Sequence, residues 1–458
     1  MNDEYSVNEV FGKRLHALGW RVMIARLRRL GLSLCIGCCA LVAGAPAAAA
    51  DLVTRATDLA DQYGDGLANW RTLAIMHRAM HDAANAVTPT YERWAARTPG
   101  EPSASGASVK SAMAAAAARV LTLLHPARSE QTARALSRAL YYIDDEPARA
   151  ASIALGDAIG TAAVERRAND GSSSIRPFVG ASGLGVWART PLKFETSNTS
   201  SAQPFLFPDR PSYAAPPPPP IDSDLFRRDL EEARRIGALE TKDRSAAQSE
   251  SAIFWASQSS QRGYMHLAIR LLEEHPRSGG VIEHARIMSQ MASAMADSAI
   301  LVWLEKERYA FWRPITAIRA GSAGVTADPD WLPLIETPPF PEYPSGHAAD
   351  CFTGSATLRA AFGNDVGVVS YVSMAGKEKE LSDLVKGVGQ HDQSDDGLWT
   401  YERRFPSLEA AATDCALSRL WAGAHFRFSD VEAERVGNLI AARAAASVPR
   451  LDRRAQRD

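Results

Sequence analysis

The stretch "FPEYPSGHAADC", residues 340 to 351, decides how this chain is read. Its Pro344-Ser345-Gly346-His347 segment is poor material for a helix interior, yet the small, helix-favouring Ala348 and Ala349 follow at once. Ser345 is therefore expected to be the N-cap of a helix, with the free N–H groups of Gly346 and His347 facing outward at the positive end of the dipole. A helix start of that kind suits an anion and sets a titratable imidazole beside it. An ordinary capped helix with a surface histidine has the same four residues, so the tetrapeptide alone does not choose.

Working outward, two further segments share an oxyanion-binding vocabulary. In "KERYAFWRP", residues 306 to 314, Lys306 and Arg313 are seven positions apart, within about 20° of each other around a helix axis. Pro314 disfavours helical geometry at Arg313, so that guanidinium is expected where the helix ends and the chain turns. In "SRLWAGAHFRFSD", residues 418 to 430, Arg419 precedes His425 by six positions, which would separate them by about 120° on one helix. A bend or stop near Gly423 is predicted, leaving His425 on the following turn. Guanidinium forks, an ammonium, a hydroxyl, a helix N–H and two imidazoles together suit a tetrahedral or trigonal-bipyramidal oxyanion.

Lys306 with Arg313-Pro314, then Pro344-Ser345-Gly346-His347, then Ser418-Arg419 with His425, in that order, resemble the three-part signature of the vanadium-dependent haloperoxidase and type 2 phosphatidic acid phosphatase superfamily. The likeness is strongest over residues 297 to 430. The Ala-rich N-terminal segments and the proline run are similar to the longer, soluble bacterial haloperoxidase-like members. The resemblance implies an all-α helical bundle around a buried anion site that holds vanadate, or phosphate in the same place. It assigns Lys306, Arg313, Ser345, Gly346 and Arg419 to the equatorial oxygens and makes His425 the axial ligand of the metal. It makes His347 the acid/base, with Lys306 also polarising bound peroxide for halide attack. Trp303 and Phe340 stand where fungal chloroperoxidases line their halide pocket. The implied partners are hydrogen peroxide and a halide. In the phosphatase branch, the alternative, His425 would attack a phosphate ester while His347 protonates the leaving group. One departure concerns the acidic residue that often follows the axial histidine with three residues between. Ser429 occupies that place here and Asp430 comes one later; Asp297 is another carboxylate that would brace an arginine of the site.

The 458 residues, 46% hydrophobic and 23% charged, are enough for a large core and exclude a disordered or fibrous chain. A formal net charge of -2 gives no reason to expect nucleic acid as a partner. Residues 1–50 read as a signal peptide: Arg26, Arg28 and Arg29 precede an apolar run from Leu30 to Val42, with an A-x-A site at Ala47 to Ala50. An extracytoplasmic mature chain is expected, without stable membrane insertion, since no later segment reads as a membrane helix; a homo-oligomer is compatible with the sequence. Removal of that leader leaves only Cys351 and Cys415, either one disulfide or two buried thiols.

Residues 51–220 form a helical N-terminal region closing in a Gly, Ser and Pro-rich connection over the surface, which ends in Pro216 to Pro220. Residues 221–450 form the helical region that carries the three motifs. His77, His81 and Asp82 have metal-ligand spacing but read as helix packing. His391, Asp392, Asp395 and Asp396 lie in an acidic loop without the ligand alternation of an EF-hand.

Overall fold

The computed structural model describes residues 44–63, 67–141, 145–174, 183–189, 199–207, 213–257, 259–276, 278–375, 390–393 and 399–448. Most of the expected leader therefore lies outside the described residues. The N-terminal helices are α1 (Gly44–Asp61), α2 (Leu67–Val87), α3 (Val109–Leu124), α4 (Ser129–Leu140) and α5 (Glu146–Glu165). Their alanines let backbones approach closely. A Cβ at Gly156 of α5 would stand 2.5 Å from the Ala115 Cβ of α3, so any larger residue there would force the two helices apart.

After the connection come α6 (Asp224–Ile236), α7 (Ala246–Ala256), α8 (Ser260–Glu274), α9 (Val281–Tyr309), α10 (Pro314–Ala320) and α11 (Gly346–Phe362). The chain closes with α12 (Leu408–Trp421) and α13 (Arg427–Ala445). The long α9 is the centre: it packs on α2, α8, α11 and α13. By length and composition α9 could cross a bilayer, contrary to the expectation that no later segment would qualify. Its apolarity on every side instead matches its burial among other helices.

Two expectations need correction. Helices were expected to be interrupted only by an acidic loop before the third motif. A three-stranded antiparallel sheet forms there, β1 (Val369–Ala375), β2 (Gln390–Gln393) and β3 (Trp399–Phe405), in the order β1-β3-β2. Its inner residues Tyr371 and Phe405 pack against Trp255 of α7, with ring centroids 5.4 and 6.0 Å away. His391 and Asp392 fall on β2, and Asp395 and Asp396 lie outside the described residues.

The connection was expected to run over the surface. Its described parts instead bury Trp187, Leu206, Phe207 and Tyr213. The backbone can enter the interior because partners are supplied there: Trp187 N–H donates to the Ala310 carbonyl at 2.7 Å. Asp297 of α9 accepts from the N–H groups of Phe205 and Leu206 at 2.6 and 2.7 Å.

Candidate functional site

Each motif segment reaches the site through a break in regular structure. Helix α9 ends in a left-handed turn at Ala310 (φ 41°), and Arg313 is the N-cap of α10. Lys306 and Arg313 thus meet across a turn rather than along one helix, because Pro314 keeps Arg313 extended (φ -84°, ψ 157°). Ser345 is the N-cap of α11, yet its hydroxyl does not cap the helix and lies beside Asp430. Helix α12 stops at Trp421, Gly423 takes φ 72°, and His425 follows on the turn before α13. Residues 340–345 are strung between the other two segments: Glu342 N–H donates to Phe311 O at 2.9 Å, and Ser345 N–H to Ser429 O at 3.3 Å.

These breaks bring Lys306, Arg313, Ser345, Arg419 and His425 to one interior locus, each at most 2% exposed. Gly346 and His347 open the first turn of α11 and are half-buried. Arg313 donates from Nε to Phe340 O and from Nη1 to Ala424 O and to His425 Nε2, at 2.9, 2.8 and 2.9 Å. Its Nη2 has no protein acceptor, and neither do Nε and Nη1 of Arg419. Lys306 is committed differently. Its Nζ donates to the carbonyls of Pro341, Glu342 and Pro344 at 3.0, 2.7 and 2.5 Å, which uses all three ammonium protons.

The crowding of cations is visible in their acidities. Burial, then the neighbouring Arg313, holds Lys306 well below the usual lysine range. Burial brings Arg313 down to about 9 and Arg419 to about 10. Burial and the three cations hold His425 well below an ordinary histidine, so its imidazole is neutral. Phe340 lies over two of these cations, its centroid 4.9 Å from the Arg313 guanidinium carbon and 5.5 Å from Lys306 Nζ. Trp303 packs on Phe340 with centroids 5.0 Å apart, and Trp187 joins them as a third aromatic wall.

Sequence reasoning missed Glu342. This fully buried carboxylate accepts from His425 Nδ1 at 2.9 Å, Phe426 N–H at 3.0 Å and the Ser429 hydroxyl at 2.7 Å. Burial pushes it up to about 7 against the pull of Arg313 and Lys306. A lone glutamate between two prolines, in an otherwise uncharged stretch, was the signal that could have found it. Asp430, the candidate partner of His425, instead lies near Arg419 and Ser345, and burial raises it well above the usual carboxylate range. Asp297 braces no arginine of the site; its charge acts on Arg78 and Arg167.

The candidate cluster of His77, His81 and Asp82 is used structurally. His77 pairs with Thr57, His81 with the Glu92 carbonyl, and Asp82 accepts from the N–H groups of Trp94 and Ala95. Cys351 and Cys415 form a disulfide that ties α11 to α12, four residues after His347 and four before Arg419. Three buried guanidinium nitrogens without acceptors and a helix N-terminus make a donor set that fits a vanadate or phosphate oxyanion, with one imidazole nitrogen presented as an acceptor beside it.

Comparison with known proteins bears on the fold around this site. Residues 286–453 match the family model of the VCPO second helical-bundle domain. A vanadium chloroperoxidase of Curvularia inaequalis is 26% identical over 238 residues, covering 43% of this chain and 39% of that relative, so the match spans about two fifths of its length. Among solved structures, one described as the first bacterial vanadium-dependent iodoperoxidase has a TM-score of 0.70 at 22% identity, over 89% of this chain and 98% of that one. A holo-type bacterial vanadium-dependent chloroperoxidase has a TM-score of 0.61 at 19% identity, over 83% and 91% of the two chains.

Proposed function

We propose that this chain, which belongs to the vanadium-dependent haloperoxidase and type 2 phosphatidic acid phosphatase superfamily, is a vanadium-dependent haloperoxidase. In the net reaction hydrogen peroxide, a halide and a proton give hypohalous acid and water. The observation that carries this reading is the set of unfilled guanidinium donors of Arg313 and Arg419 next to the acceptor nitrogen of His425. Vanadate held there by Arg313, Arg419, Ser345, the Gly346 N–H and His425 would supply a Lewis acid that activates peroxide.

The chain's own residues have separate tasks. The two guanidinium groups offset the negative charge of the oxyanion in a site from which water is largely excluded. Lys306 gathers the carbonyls of Pro341, Glu342 and Pro344 and so shapes the turn that delivers Ser345 and Gly346. His347, near enough to His425 for their charges to interact, would take and return the protons of the reaction. Phe340, Trp303 and Trp187 give one apolar side suited to a weakly hydrated halide.

That aromatic wall favours the peroxidase over the phosphatase branch. The paired Glu342 and His425 suit either branch, since the same pair would serve a histidine nucleophile toward a phosphate ester. The Cys351–Cys415 bridge and the leader-like N-terminal sequence support an extracytoplasmic site of action.

The deciding experiment is a paired assay. Halogenation of a cyclic diketone with peroxide and iodide, bromide or chloride is measured with and without orthovanadate, beside hydrolysis of an aryl phosphate by the vanadate-free protein. Vanadate-dependent halogenation that disappears in His425→Ala is expected. Phosphate hydrolysis inhibited by vanadate, with no halogenation, would replace this reading with the phosphatase.

A further inference from the structure

We propose that Glu342 is a positioning residue that sets the tautomer and orientation of His425, keeping the Nε2 lone pair turned toward the anion cage. What Nε2 would bond rests on the haloperoxidase reading; the positioning itself stands on geometry alone.

A guanidinium has only donors, so His425 Nε2, 2.9 Å from Arg313 Nη1, accepts. The neutral imidazole then carries its proton on Nδ1 and gives it to Glu342 Oε1 at 2.9 Å. The same oxygen takes the Phe426 N–H, and Oε2 takes the Ser429 hydroxyl. The carboxylate is thereby clamped to residues 425, 426 and 429 of the turn that carries the histidine. The backbone of Glu342 is held as firmly, its N–H by Phe311 O at 2.9 Å and its carbonyl by Lys306 Nζ at 2.7 Å. One residue of the second motif segment therefore joins the first and third. It fills the place that neither Ser429 nor Asp430 fills, and a carboxylate on Nδ1–H makes the imidazole a stronger base at Nε2.

Glu342→Gln keeps an oxygen for both N–H donors and removes the charge. Binding of orthovanadate and of inorganic phosphate to the full chain is measured by calorimetry. Phosphate is held by N–H donors, whereas vanadate also takes a bond from Nε2. In Glu342→Gln the affinity for vanadate is expected to fall about 10- to 100-fold, while that for phosphate is unchanged or tighter because a negative charge has left the cage. Ser429→Ala, which keeps the charge, should lower the vanadate-to-phosphate ratio less. Equal losses for both anions, or no loss for either, would overturn the proposal.

A second measurement does not depend on vanadate. With histidines labelled with nitrogen-15, the anion-free wild type should give His425 as the Nδ1–H tautomer with a strongly deshielded proton, which moves upfield in Glu342→Gln. An Nε2–H tautomer in the wild type would overturn the assignment. If the wild type holds vanadate no more tightly than phosphate, the haloperoxidase reading fails and the imidazole resonance still decides the role of Glu342.

Discussion

Replacing Arg419 by Met should separate stability from function with opposite signs. The guanidinium is buried with Nε and Nη1 unfilled, and each buried donor without an acceptor costs about 1–3 kcal/mol. Methionine fills a similar volume and brings no donor. The change also removes a positive charge from beside Asp430, a carboxyl that burial already biases toward its protonated form. The ligand-free variant should therefore be about 1–2 kcal/mol more stable than wild type. With an unfolding entropy of about 2.1 cal/mol/K per residue over 458 residues, the midpoint should rise by about 1–2 °C.

The order reverses when the anion is added. Orthovanadate at a hundred times its Kd should stabilise the wild type by about 2.7 kcal/mol, roughly 3 °C on the same entropy scale. Truncating one partner of a buried charge-assisted contact costs about 2–5 kcal/mol of binding, which cuts the variant's stabilisation at that concentration to about 1 kcal/mol or less. Scanning calorimetry on both proteins, with and without orthovanadate, reads all four midpoints. A ligand-free variant several kcal/mol less stable than wild type, or one that keeps the full vanadate shift, would refute the view of Arg419 as a donor kept open for an anion.

Other predictions follow from single features of the site and its frame. A Cβ at Gly346 would have nothing nearer than Lys306 Cε and Val302 Cγ1, both at 3.9 Å. Gly346→Ala should therefore stabilise α11 by about 0.5–1 kcal/mol, while its methyl weakens anion binding at least tenfold in a calorimetric titration; unchanged binding would remove the Gly346 N–H from the cage. The Cys351–Cys415 bridge closes a loop of sequence separation 64, for which chain entropy gives about 4 kcal/mol. Cys351→Ala with Cys415→Ala should lower the thermal midpoint by about 4–5 °C, and an unchanged midpoint would contradict this. Burial raises Asp82 to about 7 and Asp297 to about 6, from 3.8. The native state binds their protons more tightly than the unfolded chain, so the stability they contribute is present below 3.8 and lost as pH rises through 6 to 7. His77 and His81, which burial holds down to about 4, act in the opposite direction only below their ordinary 6.5, so the midpoint should fall from pH 6.5 to pH 8, and a rise over that range would contradict the assignment.

What could be read in the sequence was whatever local backbone chemistry decides. Ser345 before Gly346 marks a helix start, Pro314 takes Arg313 out of its helix, and Gly423 breaks α12 before His425. Each is a constraint between near neighbours. Glu342 was not legible because its partner His425 is 83 positions away, and only the folded turn brings the two together. Separation in sequence likewise hid Trp187, which reaches Trp303 from a connection that looked like surface.

Local pattern also misplaced Asp297. Nine residues before Lys306 on one helix, it seemed well placed to brace the site, but it serves the backbone of Phe205 and Leu206 instead. Charge bookkeeping would have narrowed the search. Three cations buried together require carboxylates within reach if the ligand-free protein is to fold at all, and few acidic residues flank the motifs. Glu342 and Asp430 are the two the fold uses, one on the His425 imidazole and one beside Arg419. Burial shifts the pKa of both upward, so neither is a full counter-charge to the cations, and the remaining positive charge is what an entering oxyanion would meet.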